Sequence, residues 1–89
     1  MLEDRQPIAE LLNLGERSAQ MLAAAGITSV GQLRDLGPVV AFLAIKQAGQ
    51  RPSINLLWAI AAGLQNRHWA DLDDEEKAKL RRELEQLTR

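Results

Sequence analysis

Apolar side chains recur along this chain at helical spacing and give way to short polar or glycine-bearing breaks. No run alternates cleanly with a period of two, so the pattern predicts helices throughout. The first is short. Pro7 suits a first helical turn, where its missing N–H costs no hydrogen bond, and Ile8, Leu11 and Leu12 then share a face. The second helix is predicted to start near Asn13. Asparagine is a good N-cap, and Glu16 follows at the spacing of a reciprocal capping box. Ala19, Leu22 and Ala23 are then placed inward, and Gly26 supplies a left-handed stop. Ser29 and Gln32 repeat the capping spacing for a third helix, whose apolar side is Val30, Leu33 and Leu36.

Gly37-Pro38 breaks the chain and opens a fourth helix, Val39 to Ala48, closed by Gly49. Its run Val39–Ile45 also fits a buried strand. The alanines favour helix, and a lone strand would find no partner elsewhere in the sequence. After the connector Gly49-Gln50-Arg51-Pro52, Ser53 is positioned to cap a fifth helix from Ile54 to Asn66. Ile54, Leu56, Leu57, Trp58, Ile60, Ala61 and Leu64 wrap most of its circumference, which marks a central core helix or an oligomer contact. Enclosure by its neighbours is expected, with a secondary dimer contact through exposed apolar residues of the fourth or last helix. Arg67-His68-Trp69-Ala70 bridges to a last helix, Asp74 to Thr88, with Asp73 as cap and Glu76 in the reciprocal position. Acids crowd its start, and Lys77, Lys79, Arg81 and Arg82 follow, which suits the helix dipole. Leu80, Leu84 and Leu87 form its apolar stripe. The expectation is one all-α domain over residues 1–89, a small bundle of five to six short helices.

Composition narrows the function. There is no cysteine, which removes disulfides, Cys-zinc sites and thiol catalysis and fits a reducing cytoplasm. Met1-Leu2-Glu3-Asp4-Arg5 lacks the basic-then-apolar pattern of a signal peptide, and no apolar run is long enough to span a membrane. Net charge is −1, spread evenly along the chain. A dedicated nucleic-acid binder usually carries a basic surplus, because phosphate neutralisation supplies most of its affinity. Any nucleic-acid contact here is therefore expected to be local and weak, or helped by a partner.

Candidate chemistry is sparse. His68, the single histidine, stands beside Trp69 between helices and reads as a packing or capping residue. Ser18, Ser29 and Ser53 show no strained nucleophile turn that would join it in a triad. Asp71, Asp73, Asp74, Glu75 and Glu76 lack the glycine and distal glutamate of a Ca²⁺ loop and read as helix-start acids. No phosphate-cradling glycine motif exists. The expectation is a non-enzyme with no cofactor, no metal and no small-molecule substrate. Arg17, Lys46, Arg51 and Arg67 are scattered, yet would form a basic patch if the fold gathered them. Trp58 and Trp69 are potential stacking platforms, with core packing the favoured role for each.

The stretch Leu12-Asn13-Leu14-Gly15-Glu16-Arg17-Ser18-Ala19, with Met21-Leu22, Gly26 to Val30 and Leu33, resembles a helix-hairpin-helix. In that motif a tight turn leaves backbone N–H groups open to a phosphate oxygen. The resemblance implies Leu14, Gly15, Arg17 and Ser18 as nucleic-acid-binding residues. Asn13 stands where such hairpins often carry their first glycine. Glu16 puts an acid where a phosphate would sit and would repel it. The alternative for this segment is a well-capped helix in a helical core.

A wider resemblance runs from Leu11 to Leu84. Its landmarks are Leu12-Asn13-Leu14-Gly15, Ser18-Ala19, Gly26-Ile27, Leu36-Gly37, Asn55-Leu56-Leu57, Ala59-Ile60, Gly63, Arg67-His68-Trp69, Leu72 and Glu75-Glu76-Lys77. In order and spacing these resemble the C-terminal domain of the TfoX/Sxy competence regulators. That family's domain commonly follows an N-terminal one, so the resemblance implies a stand-alone version. It implies a regulatory module, with either weak DNA phosphate contacts through the hairpin turn, or protein–protein or self-association with no DNA contact.

Overall fold

Helix starts and stops set the architecture. The structure, a computed structural model, describes residues 5–88, so the leader reading of Met1 to Asp4 lies outside the described residues. Five α-helices follow in order: α1 (Glu16–Ala24), α2 (Val30–Leu36), α3 (Pro38–Gln47), α4 (Ile54–Leu64) and α5 (Asp74–Leu87). Two 3₁₀ turns, Ile8–Glu10 and Trp69–Asp71, precede α1 and α5. The described residues form no strand, and Val39–Ile45 lies within α3.

Local signals explain most boundaries. At α2 the Ser29 hydroxyl accepts from the Gln32 N–H at 3.2 Å, and the Gln32 side-chain Oε1 accepts from the Thr28 N–H at 2.8 Å. At α5 the full capping box forms between Asp73 and Glu76. Gly26 ends α1 at φ +86°, and the Ile27 N–H returns to the Leu22 carbonyl at 2.9 Å. Asn66 does the same after α4 at φ +55°, where the Arg67 N–H returns to the Ala62 carbonyl at 2.9 Å.

The core has two lobes with α4 between them. Ile60 packs with Ile8, Leu11, Leu22, Val30, Leu33 and Ile45. Leu57, Trp58, Ala61 and Ala62 pack with Val39, Phe42 and Leu72, and half-buried Leu80 and Leu84 of α5 close that side. Each large apolar side chain removed from water contributes about 1.5–3 kcal/mol. Trp58 is only 4% exposed, and Lys77 and Arg81 lie over its ring at 5.8 and 5.5 Å. The expected central helix is thus α4, enclosed by its own chain.

Several expectations are corrected. The first helix is only a 3₁₀ turn, with Ile8 and Leu11 buried and Leu12 exposed. The Asn13–Glu16 capping box does not form. Gly15 is the N-cap of α1, and no side chain caps it. Ser53 precedes α4 but its hydroxyl makes no capping bond. Ala23, Leu36 and Leu87 face solvent rather than core.

Candidate functional site

A groove of about 490 Å³ runs beside α1. Three segments build its walls: Asn13 and α1 with Arg17, Ser18 and Met21; the entry to α4 with Arg51, Asn55, Leu56 and Ala59; and Trp69 of the second 3₁₀ turn. Three long-range hydrogen bonds tie these segments together. The Gln50 side-chain amide donates to the Met21 carbonyl at 2.9 Å, drawing the Arg51 loop onto α1. The Asn13 Nδ2 donates to the Arg67 carbonyl at 2.7 Å, and its Oδ1 accepts from the Trp69 N–H at 3.0 Å.

Asn13 explains itself in this arrangement. It sits at φ +73°, a left-handed conformation that asparagine tolerates better than most side chains. Its side chain therefore serves the distant 66–70 link instead of the N–H groups of α1. This is why the predicted capping box is absent. Gly15 by contrast has ordinary extended backbone, φ −119° and ψ −167°, and its carbonyl accepts from the Ala19 N–H at 3.0 Å.

Of the four hairpin residues singled out in the sequence, Arg17 and Ser18 line the groove. Gly15 is exposed at the start of α1, and Leu14 is a buried anchor. Glu16, expected to crowd a phosphate, lines a separate cleft with Pro7, Ile8 and Ala19. The groove lining therefore contains two arginines and no carboxylate.

The four scattered cations do not all meet. Lys46 lies over the Phe42 ring at 5.6 Å. Arg67 pairs with Glu76 through both nitrogens, at 2.6 and 3.0 Å, and also donates to the Asp71 carbonyl. The hydrogen bond from Arg67, with a second from the Asp73 N–H, holds the Glu76 carboxyl below its ordinary range. The same carboxylate pushes the Arg67 guanidinium up. Arg17 and Arg51 share the groove, and neither has a hydrogen bond or ion pair among the described residues.

The aromatic expectation holds for Trp58 and fails for Trp69, which is 45% exposed. Trp69 belongs to a link that α4 and α5 leave at the surface, and its backbone, not its ring, is what Asn13 holds. His68 takes the expected capping role: its Nδ1 accepts from the Ala70 N–H at 3.2 Å. Its ring stacks on that of Trp69 with centroids 5.8 Å apart. Sequence reasoning missed Asn55 and the joining of Arg51 to Trp69. The available signal was Asn13 itself, an asparagine inside Leu-Asn-Leu-Gly, where a turn demands positive φ.

Known proteins are similar to this chain in sequence and shape. The TfoX C-terminal domain, as a protein family, matches residues 4–84. The DNA transformation protein TfoX of Haemophilus influenzae is 29% identical over 82 residues, which cover 92% of this chain and 38% of that protein. This chain thus spans well under half the length of that relative. A crystal structure of an uncharacterized protein from Listeria monocytogenes, in a triclinic form, superimposes with a TM-score of 0.82 at 30% identity, covering 93% of this chain and 94% of the other. A protein of unknown function from the same organism, in a tetragonal form, gives 0.79 at 32% identity, covering 89% and 98%.

Proposed function

This chain belongs to the TfoX C-terminal domain family, and from there we propose that it is a non-catalytic regulatory module that contacts nucleic-acid phosphate along the groove beside α1. The observation that carries this reading is the pair of unpaired arginines, Arg17 and Arg51, in a groove whose lining holds no carboxylate. Overall charge is −1, so the attraction must be local. Ser18 adds a hydroxyl to the same wall, and the uncapped first turn of α1 at Gly15 adds N–H donors nearby. These features favour the hairpin-like use of Leu14-Gly15-Arg17-Ser18, with Leu14 as the anchor. The Haemophilus relative is named for DNA transformation, and DNA is the ligand the proposal carries over to this chain.

The expected binding is weak and salt-sensitive. Two neutralised phosphates give a log–log salt slope of about −2 on duplex DNA. Fluorescence anisotropy with labelled duplex at two salt concentrations tests this. Arg17→Glu and Arg51→Glu should each abolish binding. Glu16→Lys should tighten it only modestly, because Glu16 lines the other cleft. If no binding occurs at low salt, even for Glu16→Lys, the phosphate reading falls. The alternative, a protein-interaction or self-association module, then stands on the exposed Leu36 at the end of α2 and Val40 in the first turn of α3.

A further inference from the structure

We infer that the nucleic acid this groove accepts is single-stranded, with one unstacked base laid on the Trp69 ring and the flanking phosphates held by Arg17 and Arg51. The inference rests on the phosphate-contact reading above and narrows it to a strand type. Trp69 is the one exposed tryptophan among the described residues, and it lines the same groove as both arginines. Trp58, the other tryptophan, is buried with cations over its ring.

Trp69 is also held. Its N–H is bonded to Asn13, its carbonyl accepts from the Leu72 N–H at 3.2 Å, and the His68 ring stacks beside it. The preceding Arg67 is fixed in turn by Glu76. An exposed flat ring on an anchored backbone, lining one groove with two arginines, matches the stacking-plus-charge scheme by which proteins hold single strands. Bases inside a duplex offer no free face to such a ring, whereas an unpaired base does. The groove volume, about 490 Å³, lies within the range of roughly 300–1,000 Å³ that accommodates a small-molecule-sized group. Stacking also supplies affinity that a chain of net charge −1 cannot draw from phosphate alone.

The test uses the full chain with a short labelled oligothymidylate and a hairpin duplex of matched length, at low salt. The oligothymidylate should bind roughly tenfold tighter than the duplex and quench the exposed part of the tryptophan emission. Trp69→Ala should lose that preference and the quenching while leaving duplex binding in place, and Trp69→Phe should keep most of the preference. The substitution is at the surface, and an unchanged circular dichroism melt checks the fold. Equal affinity for both forms, unaffected by Trp69→Ala, would overturn the strand inference. In that case the phosphate reading survives if Arg17→Glu still abolishes binding. Polyglutamate that competes as well as the oligothymidylate and quenches alike would also overturn it and point to an acidic peptide. No binding of either nucleic acid removes both readings.

Discussion

A Cβ added to Gly63 would lie 2.5 Å from the Leu12 carbonyl oxygen, in a helix where alanine is otherwise the better residue. The gain of up to about 1 kcal/mol expected from helix propensity is therefore reversed by a clash with backbone that cannot rotate away. Gly26 is the opposite case. Nothing lies within 4 Å of its added Cβ, so its need for glycine comes only from φ +86°. Gly63→Ala should destabilise by more than about 1 kcal/mol through overpacking. Gly26→Val should cost about 1–3 kcal/mol through left-handed strain alone. Gly26→Asn should cost less than Gly26→Val, as Asn13 and Asn66 already occupy that region in this chain. Urea denaturation of the three variants checks the set. A Gly63→Ala protein as stable as its parent would show that the Leu12 turn does not press on α4. Gly26 was readable because a helix stop is a local event. Gly63 was not, because its neighbour lies about fifty residues away and nothing in the local pattern announces it.

The link between α4 and α5 is held by one carboxylate that does two jobs. Glu76 closes the capping box of α5 by accepting from the Asp73 N–H at 3.2 Å, and it pairs with Arg67. Its carboxyl is held below the ordinary glutamate value of about 4.3. A group whose pKa is depressed in the folded state stabilises above its unfolded pKa, and that contribution is lost as pH falls through the folded value. The Tm should therefore be flat from neutral pH down to the carboxylate range and drop below it. Glu76→Gln should lower the Tm at neutral pH and leave a shallower acid decline. Identical acid limbs for the two proteins would remove Glu76 from the account. Both groups are about one-third exposed, so the effect should shrink in high salt. The Asp73–Glu76 box was legible because its partners are three residues apart. The Arg67 pairing was not, since Arg67 reads equally well as a solvated cation. The same holds for Asn13: its expected cap was plausible locally, but a bond across 56 residues to Trp69 won. Local capping chemistry is written in short spacings, whereas the candidate groove is assembled from segments that meet only in the folded chain.

At the scale of the whole molecule, an 89-residue chain has limited surface with which to bury an all-apolar helix. This one succeeds because α4 runs between both core lobes, and Leu57, Ile60 and Ala62 have no exposed surface left. A second copy is not needed to cover α4. What remains outside among the described residues is dispersed: Leu12, Leu36, Val40, Trp69 and, near the end of α5, Leu87 at 55% exposed. Leu80 and Leu84 already pack on Val39, Phe42 and Leu57, so the α5 stripe leaves only its last leucine for a second copy. Single side chains scattered in this way do not build the contiguous surface of ~1,000 Å² that a stable interface needs. The protein should therefore sediment as a 9.9 kDa monomer at low concentration. Association should emerge only as concentration rises, through a two-fold contact of the same patch on each copy. Leu87→Glu should then suppress it without lowering the Tm, because that side chain contributes little to the core. Sedimentation velocity across a concentration series decides the matter. A constant dimer mass at the lowest measurable concentration would mean that a far larger surface is covered. One candidate is the groove itself, whose lining includes apolar Met21, Leu56 and Ala59 as well as the arginines. In that outcome Arg17→Glu would weaken the dimer, and self-association would replace nucleic acid as the use of the groove.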